Sequence, residues 1–179
     1  MSDTALLVID MLNSYRHEDA DPLADSVREI VEPLTDLIEN ARGRDDVELI
    51  YVNDNYGDFS STRDDIVRQA LDGAHPELVK PIVPDADSMY LEKVRHSAFY
   101  ATPLDYLLTR LGTKRVIMAG QVTEQCVFYS ALDAYVRHFD VIVPRDAVAH
   151  IDADLGKAAL RMMESNMRAS IVRTADCLS

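Results

Sequence analysis

The sequence of 179 residues has no tryptophan, two cysteines and six glycines. Two cysteines are too few for a disulfide scaffold in a chain of this length, which favours a reducing compartment. No apolar run approaches the roughly 20 residues that a membrane-spanning helix needs. The first residues include Asp3 and no basic cluster, unlike a signal peptide. From these absences we expect a cytoplasmic protein that does not bind membranes.

Positive charge is also scarce, because 18 Lys and Arg residues face 31 Asp and Glu residues, giving a formal net charge of −13. A negative field repels phosphate backbones and anionic lipid headgroups. We therefore expect no nucleic-acid or membrane partner. A solvated acidic surface is a simpler explanation of this charge than a salty cytoplasm or a cationic substrate.

The sequence also lacks any segment with the composition of a linker. The chain contains no low-complexity segment, no internal repeat and no stretch rich in Pro, Gly and Ser. Its length falls within the usual range of one compact domain. We predict a single domain over residues 1–179.

Short apolar runs rich in β-branched residues recur along the chain and predict buried strands. They lie at 5–9, 47–52, 116–119, 141–143 and 170–172, with a weaker strand at 89–91. Helical patterns lie between them: one at 27–41 that Gly43 ends, one that Thr102 and Pro103 begin and Gly112 ends, and one after Thr123. This alternation predicts an α/β fold, a three-layer α/β/α doubly wound domain with a mainly parallel six-stranded sheet.

In such folds, ligands bind beyond the carboxyl ends of the strands. Asp10 follows the first strand, Lys93 follows the weak strand, and Cys126 lies in the helix turn after the strand at 116–119. Taken singly, each has a plain interpretation as a capping carboxylate, a solvated lysine or a small buried hydrophobe. Their shared position at strand ends favours a site.

The chemistry of these side chains is complementary. We expect Thr123 to cap a helix whose first turn holds Cys126, where the helix dipole and a nearby cation would lower the pKa of the thiol from about 8.5. The thiolate should then be favoured. A buried Asp10 would have a raised pKa, which suits a general base that later acts as a general acid.

Three segments contain these residues: VIDMLNSY, EKVRHSAFYATPLDYLL and AGQVTEQCVFYSALDAYVRHFDVIVPRDA. In order and spacing they resemble the signature regions of isochorismatase-like cysteine hydrolases, the superfamily of isochorismatases, nicotinamidases and N-carbamoylsarcosine amidohydrolases. The resemblance covers nearly the whole chain. It implies that Asp10 is the general base, that Lys93 orients and supports the site, and that Cys126 attacks the substrate.

The resemblance also implies a cis peptide bond between Gln121 and Val122, and an oxyanion hole made by the backbone amides of Val122 and Cys126. The implied reaction is hydrolysis of a small-molecule C–N bond, in an amide, ureide or lactam, through a thioester on the cysteine and without a cofactor. The superfamily further implies a homo-oligomer, either a dimer or a larger assembly.

Two other functions stay open. Some isochorismatases cleave a vinyl ether without a cysteine, so the presence of Cys126 favours an amidohydrolase but leaves vinyl-ether hydrolysis as the alternative. A non-catalytic thiol sensor or binding protein is less favoured. Its resolving cysteine would have to be Cys177, close to the C-terminal residue.

The sequence departs from the nicotinamidases at their metal site. These relatives hold a metal through an Asp-x-His sequence after the second strand, whereas here Tyr56 stands two residues after Asp54. His75 is the one histidine nearby. One Asp and one distant His make a poor site for a first-row metal, so we predict no metal.

Candidate substrate contacts flank the motifs: Tyr15, Arg95, Phe99 and Tyr129. Aromatic side chains in such positions are at least as often core residues, and Arg95 either binds a substrate carboxylate or pairs with a surface Glu. The polar segment 16–24 is either a cover that contacts a cationic group of the substrate or a solvated loop. The acidic composition of the chain favours the loop.

Overall fold

The computed structural model describes residues 3–179, and its sheet is built from the predicted apolar runs. The strands are β1 (Thr4–Ile9), β2 (Val47–Asp54), β3 (Met89–Lys93), β4 (Arg115–Gln121), β5 (Asp140–Pro144), β6 (Val148–Ala149) and β7 (Ser170–Val172). All pairings are parallel, in the order β3-β2-β1-β4-β5-β7, and β6 pairs with the end of β4. The predicted α/β fold and its six strands are confirmed. The seventh strand, β6, is too short to have a sequence pattern.

Helices fill the connections between the strands. They are α1 (Ala20–Arg42), α2 (Arg63–Leu71), α3 (Pro76–Val79), α4 (Leu104–Leu111), α5 (Phe128–Val136) and α6 (Ala153–Met167), with a π-helical turn (Thr123–Val127) leading into α5. Gly112 ends α4 in the left-handed conformation, at φ 77°, as a glycine C-cap should. Within residues 3–179, no helix combines the length and apolarity needed to cross a bilayer.

Two predicted helix starts are wrong in detail. Helix α1 begins at Ala20, so the second half of segment 16–24 is helical instead of a loop. Helix α4 begins at Leu104 with Pro103 as its N-cap, one residue later than predicted. The hydroxyl of Thr102 accepts the Leu104 amide at 3.3 Å but donates to the Ala98 carbonyl at 2.6 Å, which ties Thr102 to the preceding turn.

The central strand shows why both sheet faces are apolar. Leu6 and Val8 of β1 pack on the α1 side of the sheet. Ala5, Leu7 and Ile9 pack on the opposite side with residues of α4, α5 and α6. A strand that is covered on both faces needs a continuous apolar run instead of an alternating one. The three-layer architecture follows from this double burial.

The strand order places a crevice beyond β1 and β4. From β1 the chain adds β2 and β3 on one side, then returns to β4 on the other, so the direction of winding reverses between β1 and β4. Gly120 of β4 has φ 116°, and a Cβ atom there would lie 2.2 Å from the Ile9 carbonyl oxygen. There is therefore no room for a side chain at position 120, beside the residue that precedes Asp10.

Candidate active site

Asp10 is fixed by both neighbouring strands. Its amide donates to the Val52 carbonyl at 3.0 Å, and its own carbonyl accepts the Gln121 side-chain amide at 2.7 Å. Its carboxylate accepts the Asp54 amide at 2.8 Å and lies 2.8 Å from the Lys93 ammonium. The backbone of Asp10 is thus held by β2 and β4, and its carboxylate by β2 and β3.

Lys93 is the last residue of β3, and its side chain is completely buried. Its Nζ lies 2.8 Å from Asp10 Oδ2 and 3.2 Å from Asp54 Oδ2. The same nitrogen donates to the Arg95 carbonyl at 3.0 Å and lies 3.6 Å from Cys126 Sγ. One ammonium therefore faces two carboxylates and the thiol.

Asp54 is a member of this cluster that the sequence interpretation missed. In the sequence, Asp54 is recognisable only as half of an incomplete metal motif. In the sheet, Asp54 ends β2 directly opposite Lys93 in the parallel register. Its position at the end of a predicted strand could have indicated that Asp54 belongs to the site. The register that pairs Asp54 with Lys93 cannot be read from the sequence.

Cys126 lies in the π-helical turn beyond β4, with 9% of its surface exposed. The peptide bond between Gln121 and Val122 is cis, as the resemblance implies. The Asp10 side chain and the Val122 backbone both lie close enough to the Cys126 sulfur to shift the pKa of its thiol. Thr123 does not cap the helix, because its hydroxyl donates to the Ala149 carbonyl at 2.9 Å and so anchors the turn to β6.

The predicted thiolate is wrong. Burial raises the pKa of the Cys126 thiol, and the charge of Asp10 raises it further, against the smaller opposing effect of Lys93. Burial also raises the pKa of Asp10, although Lys93 and its hydrogen bonds counteract this. Burial disfavours the Lys93 ammonium, but the neighbouring Asp10, Cys126 and Asp54 raise its pKa overall. The resting site thus holds a protonated thiol beside a carboxylate that can accept its proton.

A cavity of about 280 Å³ opens over the thiol, and we name it the Cys126 cavity. Its lining is Asp10, Asn13, His17, Asp19, Leu23, Asp54, Tyr56, Gln121, Val122, Gln125, Cys126 and Ile151. The predicted Asp10, Val122 and Cys126 are brought together here, and Lys93 lies buried beside them. His17 and Asp19 belong to segment 16–24, and their place in the lining is what the interpretation of that segment as a cover over the substrate predicts. Asn13 and Gln125 were not predicted as contacts, although they are polar residues within the motifs.

None of the four candidate substrate contacts lines the Cys126 cavity. Tyr15 is buried and donates to Gln121 Oε1 at 3.4 Å, so it supports the site from behind. Phe99 packs in the core against Phe139. Arg95 and Tyr129 line a separate surface cavity of about 500 Å³, where Tyr129 stacks on His96. A residue that lies next to a catalytic motif in the sequence can therefore point its side chain away from the cavity.

The residues at the nicotinamidase metal position do not fit a metal ion. Asp54 contacts Lys93 at 3.2 Å. The Tyr56 hydroxyl, which replaces the expected imidazole, donates to the Leu12 carbonyl at 2.8 Å. His75 packs edge-on against Tyr15 and pairs with Glu77. Among residues 3–179, no group of three His, Cys, Asp or Glu side chains is arranged to hold a metal.

Comparison with known protein families matches the chain to one of them. The isochorismatase domain model matches residues 4–176, almost the full chain. The chain belongs to the isochorismatase family. It is therefore a hydrolase with the α/β fold of that family, whose members include amidohydrolases.

Individual relatives agree with this assignment. An uncharacterized isochorismatase family protein of Bacillus subtilis, YaaI, is 33% identical over 170 residues, which covers 95% of this chain and 93% of the relative. The maleamate amidohydrolase of Pseudomonas putida is 29% identical over 170 residues, covering 90% and 79% of the two chains. The crystal structure of N-carbamoylsarcosine amidase from Thermoplasma acidophilum superimposes with a TM-score of 0.76, at 27% identity and over 100% of both chains.

Proposed function

We propose that this isochorismatase-family hydrolase cleaves the C–N bond of a small amide, ureide or lactam through a thioester on Cys126. The observation that carries the proposal is the contact of three groups of complementary chemistry at one cavity wall. The Lys93 ammonium lies 2.8 Å from Asp10 Oδ2 and 3.6 Å from Cys126 Sγ, so it holds the carboxylate and the thiol in one cluster. The amidohydrolase and amidase among its relatives support an amide as the substrate.

In the first step, Asp10 accepts the proton of the Cys126 thiol while the sulfur adds to the substrate carbonyl carbon. The carbonyl π electrons move to oxygen and form an oxyanion. The backbone amides of Val122 and Cys126 donate to this oxygen, and such donors are worth about 10²- to 10³-fold in rate each. A protonated resting thiol requires this proton acceptor, and Asp10 is the group within reach.

In the second step, the oxyanion collapses and the C–N bond breaks. The protonated Asp10 gives its proton to the departing nitrogen, which leaves as ammonia or an amine. A water molecule then attacks the thioester while Asp10 accepts one of its protons, and the proton returns to the sulfur as the acid product leaves. Lys93 keeps its proton throughout and holds the Asp10 carboxylate in place, because Asp10 and Asp54 stabilise the ammonium.

The proposal needs a small-molecule substrate and no cofactor. A reducing cytoplasm suits it, because Cys126 and Cys177 are both free thiols. The formal net charge of −13 disfavours nucleic acid and anionic membranes as partners.

The test is release of ammonia or amine from a panel of small amides, ureides and lactams, with a metal chelator present. We expect turnover by the wild type, at most 10⁻³ of that rate in Cys126→Ala, and an acyl adduct on Cys126 by intact-protein mass spectrometry. Cys177→Ala is the matched control, because that thiol is buried and donates to the Arg173 carbonyl at 3.4 Å, outside the Cys126 cavity. Turnover that survives in Cys126→Ala would refute the proposal.

A further inference from the structure

The lining of the Cys126 cavity carries more negative than positive charge. Lys93 is shared between Asp10 at 2.8 Å and Asp54 at 3.2 Å, so one ammonium compensates two carboxylates. Asp19 adds a third carboxylate to the lining. No Lys or Arg is among the described residues that line this cavity. A substrate therefore meets a net negative surface.

Asp19 is the carboxylate of this group that has no compensating cation. It is the N-cap residue of α1, and its side chain makes no capping hydrogen bond. Within residues 3–179, no Lys, Arg or His forms a salt bridge with it. The Asp19 carboxylate also lies at the N-terminus of the 23-residue helix α1. The positive end of the helix dipole can bind an anionic ligand, and here Asp19 occupies that position.

The remaining polar side chains of the lining are neutral amides, one imidazole and the hydroxyl of Tyr56, which donates to the Leu12 carbonyl. Asn13 Oδ1 accepts the Tyr15 amide at 2.7 Å, which leaves the Asn13 side-chain NH₂ for a ligand. Gln125 offers a second amide, and His17 contributes an imidazole. These groups can bind a carbonyl, but they do not offset Asp10, Asp54 and Asp19 together.

We infer that the Cys126 cavity selects small amides that carry a positive charge near the scissile carbonyl and disfavours amides that carry a carboxylate, with Asp19 as the residue that determines this specificity. The inference rests on the proposed amide hydrolysis. A carboxylate would approach three carboxylates and one ammonium inside a partly enclosed cavity, where repulsion is stronger than in open solvent. An ammonium group would instead complete the missing ion pair of Asp19.

Three amides of matched shape test this selection: β-alaninamide, butyramide and succinamate, which differ by an ammonium, a methyl or a carboxylate on the same carbon chain. We expect kcat/KM to fall in that order. Asp19→Asn keeps the size of the side chain and removes its charge. It should lower the ratio of kcat/KM for β-alaninamide over butyramide about tenfold, the effect of one charge-assisted hydrogen bond.

Asp21→Asn is the matched control. Asp21, two residues after Asp19 in the first turn of α1, is exposed as Asp19 is but does not line the Cys126 cavity. Its substitution therefore changes the net charge of the protein equally. The β-alaninamide to butyramide ratio should stay within about twofold in this variant. Arg95→Ala and His17→Gln, each assayed with succinamate, report whether either side chain provides a carboxylate site.

Several results would overturn the inference: preference for succinamate, an unchanged ratio in Asp19→Asn, or an equal change in Asp21→Asn. Failure of the proposed function has a different signature, namely no cysteine-dependent turnover of any amide. In that case, calorimetric titration of the Cys126→Ala variant with β-alaninamide and with succinamate still decides the charge preference. Tighter binding of β-alaninamide that weakens with the added Asp19→Asn change supports it, and tighter binding of succinamate refutes it.

Discussion

At the scale of single residues, the site is a thiol beside a carboxylate, with an ammonium that contacts both. Burial raises the pKa of both Asp10 and Cys126. In the proposed mechanism, the thiol therefore reacts only as its proton moves to Asp10, so the protonation of this one carboxylate controls the first step. The pH dependence of turnover should report Asp10 directly.

We predict that the acidic limb of kcat/KM lies above the ordinary aspartate pKa of about 4. Protonation of Asp10 removes the base, and burial makes that protonation occur at a higher pH than in water. The measurement is a pH profile with a neutral amide between pH 4 and 9. Asp10→Asn, which cannot accept the proton, should lose activity across the range, and a limb at or below pH 4 would contradict the prediction.

A second prediction concerns Lys93→Met. Removing a buried ammonium leaves Asp10 and Asp54 without their shared partner, so the free energy of unfolding should fall by about 3 to 5 kcal/mol. The pKa of Lys93 is raised in the folded protein. Its stabilising contribution is therefore fully present below the pKa of an unfolded lysine and is lost as the pH rises through the folded value.

Urea denaturation of Lys93→Met at pH 7 measures this effect. The same substitution at Lys157, which is exposed on α6, is the control and should change the free energy of unfolding by less than about 0.5 kcal/mol. Equal stabilities of the two variants would show that the Lys93 ion pairs contribute nothing net. The remaining activity of Lys93→Met should also have its acidic limb at higher pH, because the charge that opposes protonation of Asp10 is gone.

At the scale of secondary-structure elements, the site depends on the contact between β1 and β4. Gly120 is the residue that permits this contact, because a Cβ atom there would lie 2.2 Å from the Ile9 carbonyl oxygen and 2.9 Å from the Ile9 amide nitrogen. Both are backbone atoms, which cannot rotate away. Asp10 follows Ile9 directly, so any displacement of β1 moves the proposed base.

Gly120→Ala should therefore destabilise the protein by about 3 kcal/mol or more, from the backbone clash together with the positive φ. Gly112→Ala separates the two causes, because Gly112 has φ 77° but no atom within 4 Å of its added Cβ. That variant should lose about 1 to 2 kcal/mol. Thermal unfolding monitored by circular dichroism compares them, and equal losses would rule out the steric explanation.

At the scale of the whole molecule, an acidic protein exposes an apolar stripe. Tyr129, Leu132 and Val136 of α5 are three and four residues apart and exposed, at 43%, 43% and 55%, so they share one helix face. The neighbouring α6 adds Leu155 and Met162, at 58% and 46% exposure. Exposed apolar side chains on two neighbouring helices are typical of an interface. The homo-oligomer that the family resemblance implies stays a prediction, and this stripe is its natural location.

Light scattering after size exclusion should give a multiple of 20.1 kDa for the wild type and a lower mass for Leu132→Glu. Phe59→Glu introduces the same charge at a residue that is 80% exposed in a loop after β2, and should leave the mass unchanged. High salt should strengthen association of the wild type, since it screens repulsion between subunits with a net charge of −13 each. A wild-type monomer at all salt concentrations would refute the prediction.

The fold class and the three central residues of the candidate site could be predicted from the amino-acid sequence. Strands buried on both faces produce continuous apolar runs, so all six strands of the main sheet order could be predicted. Because Asp10, Lys93 and Cys126 each stand at or just beyond a strand end, the general rule for doubly wound sheets brought them to one edge. These inferences needed only local patterns, the order of elements and a family resemblance.

The charge states of Cys126 and Asp10 and the lining of the Cys126 cavity depend on the tertiary structure. The protonated thiol follows from burial and from the nearness of Asp10, and neither is encoded in a local pattern. Asp54 lies in the cluster because of the register between β2 and β3. Tyr15 and Phe99 are buried and do not line the cavity. Side-chain direction and desolvation depend on residues distant along the chain. They are the quantities that distinguish a substrate contact from a core residue and a thiol from a thiolate.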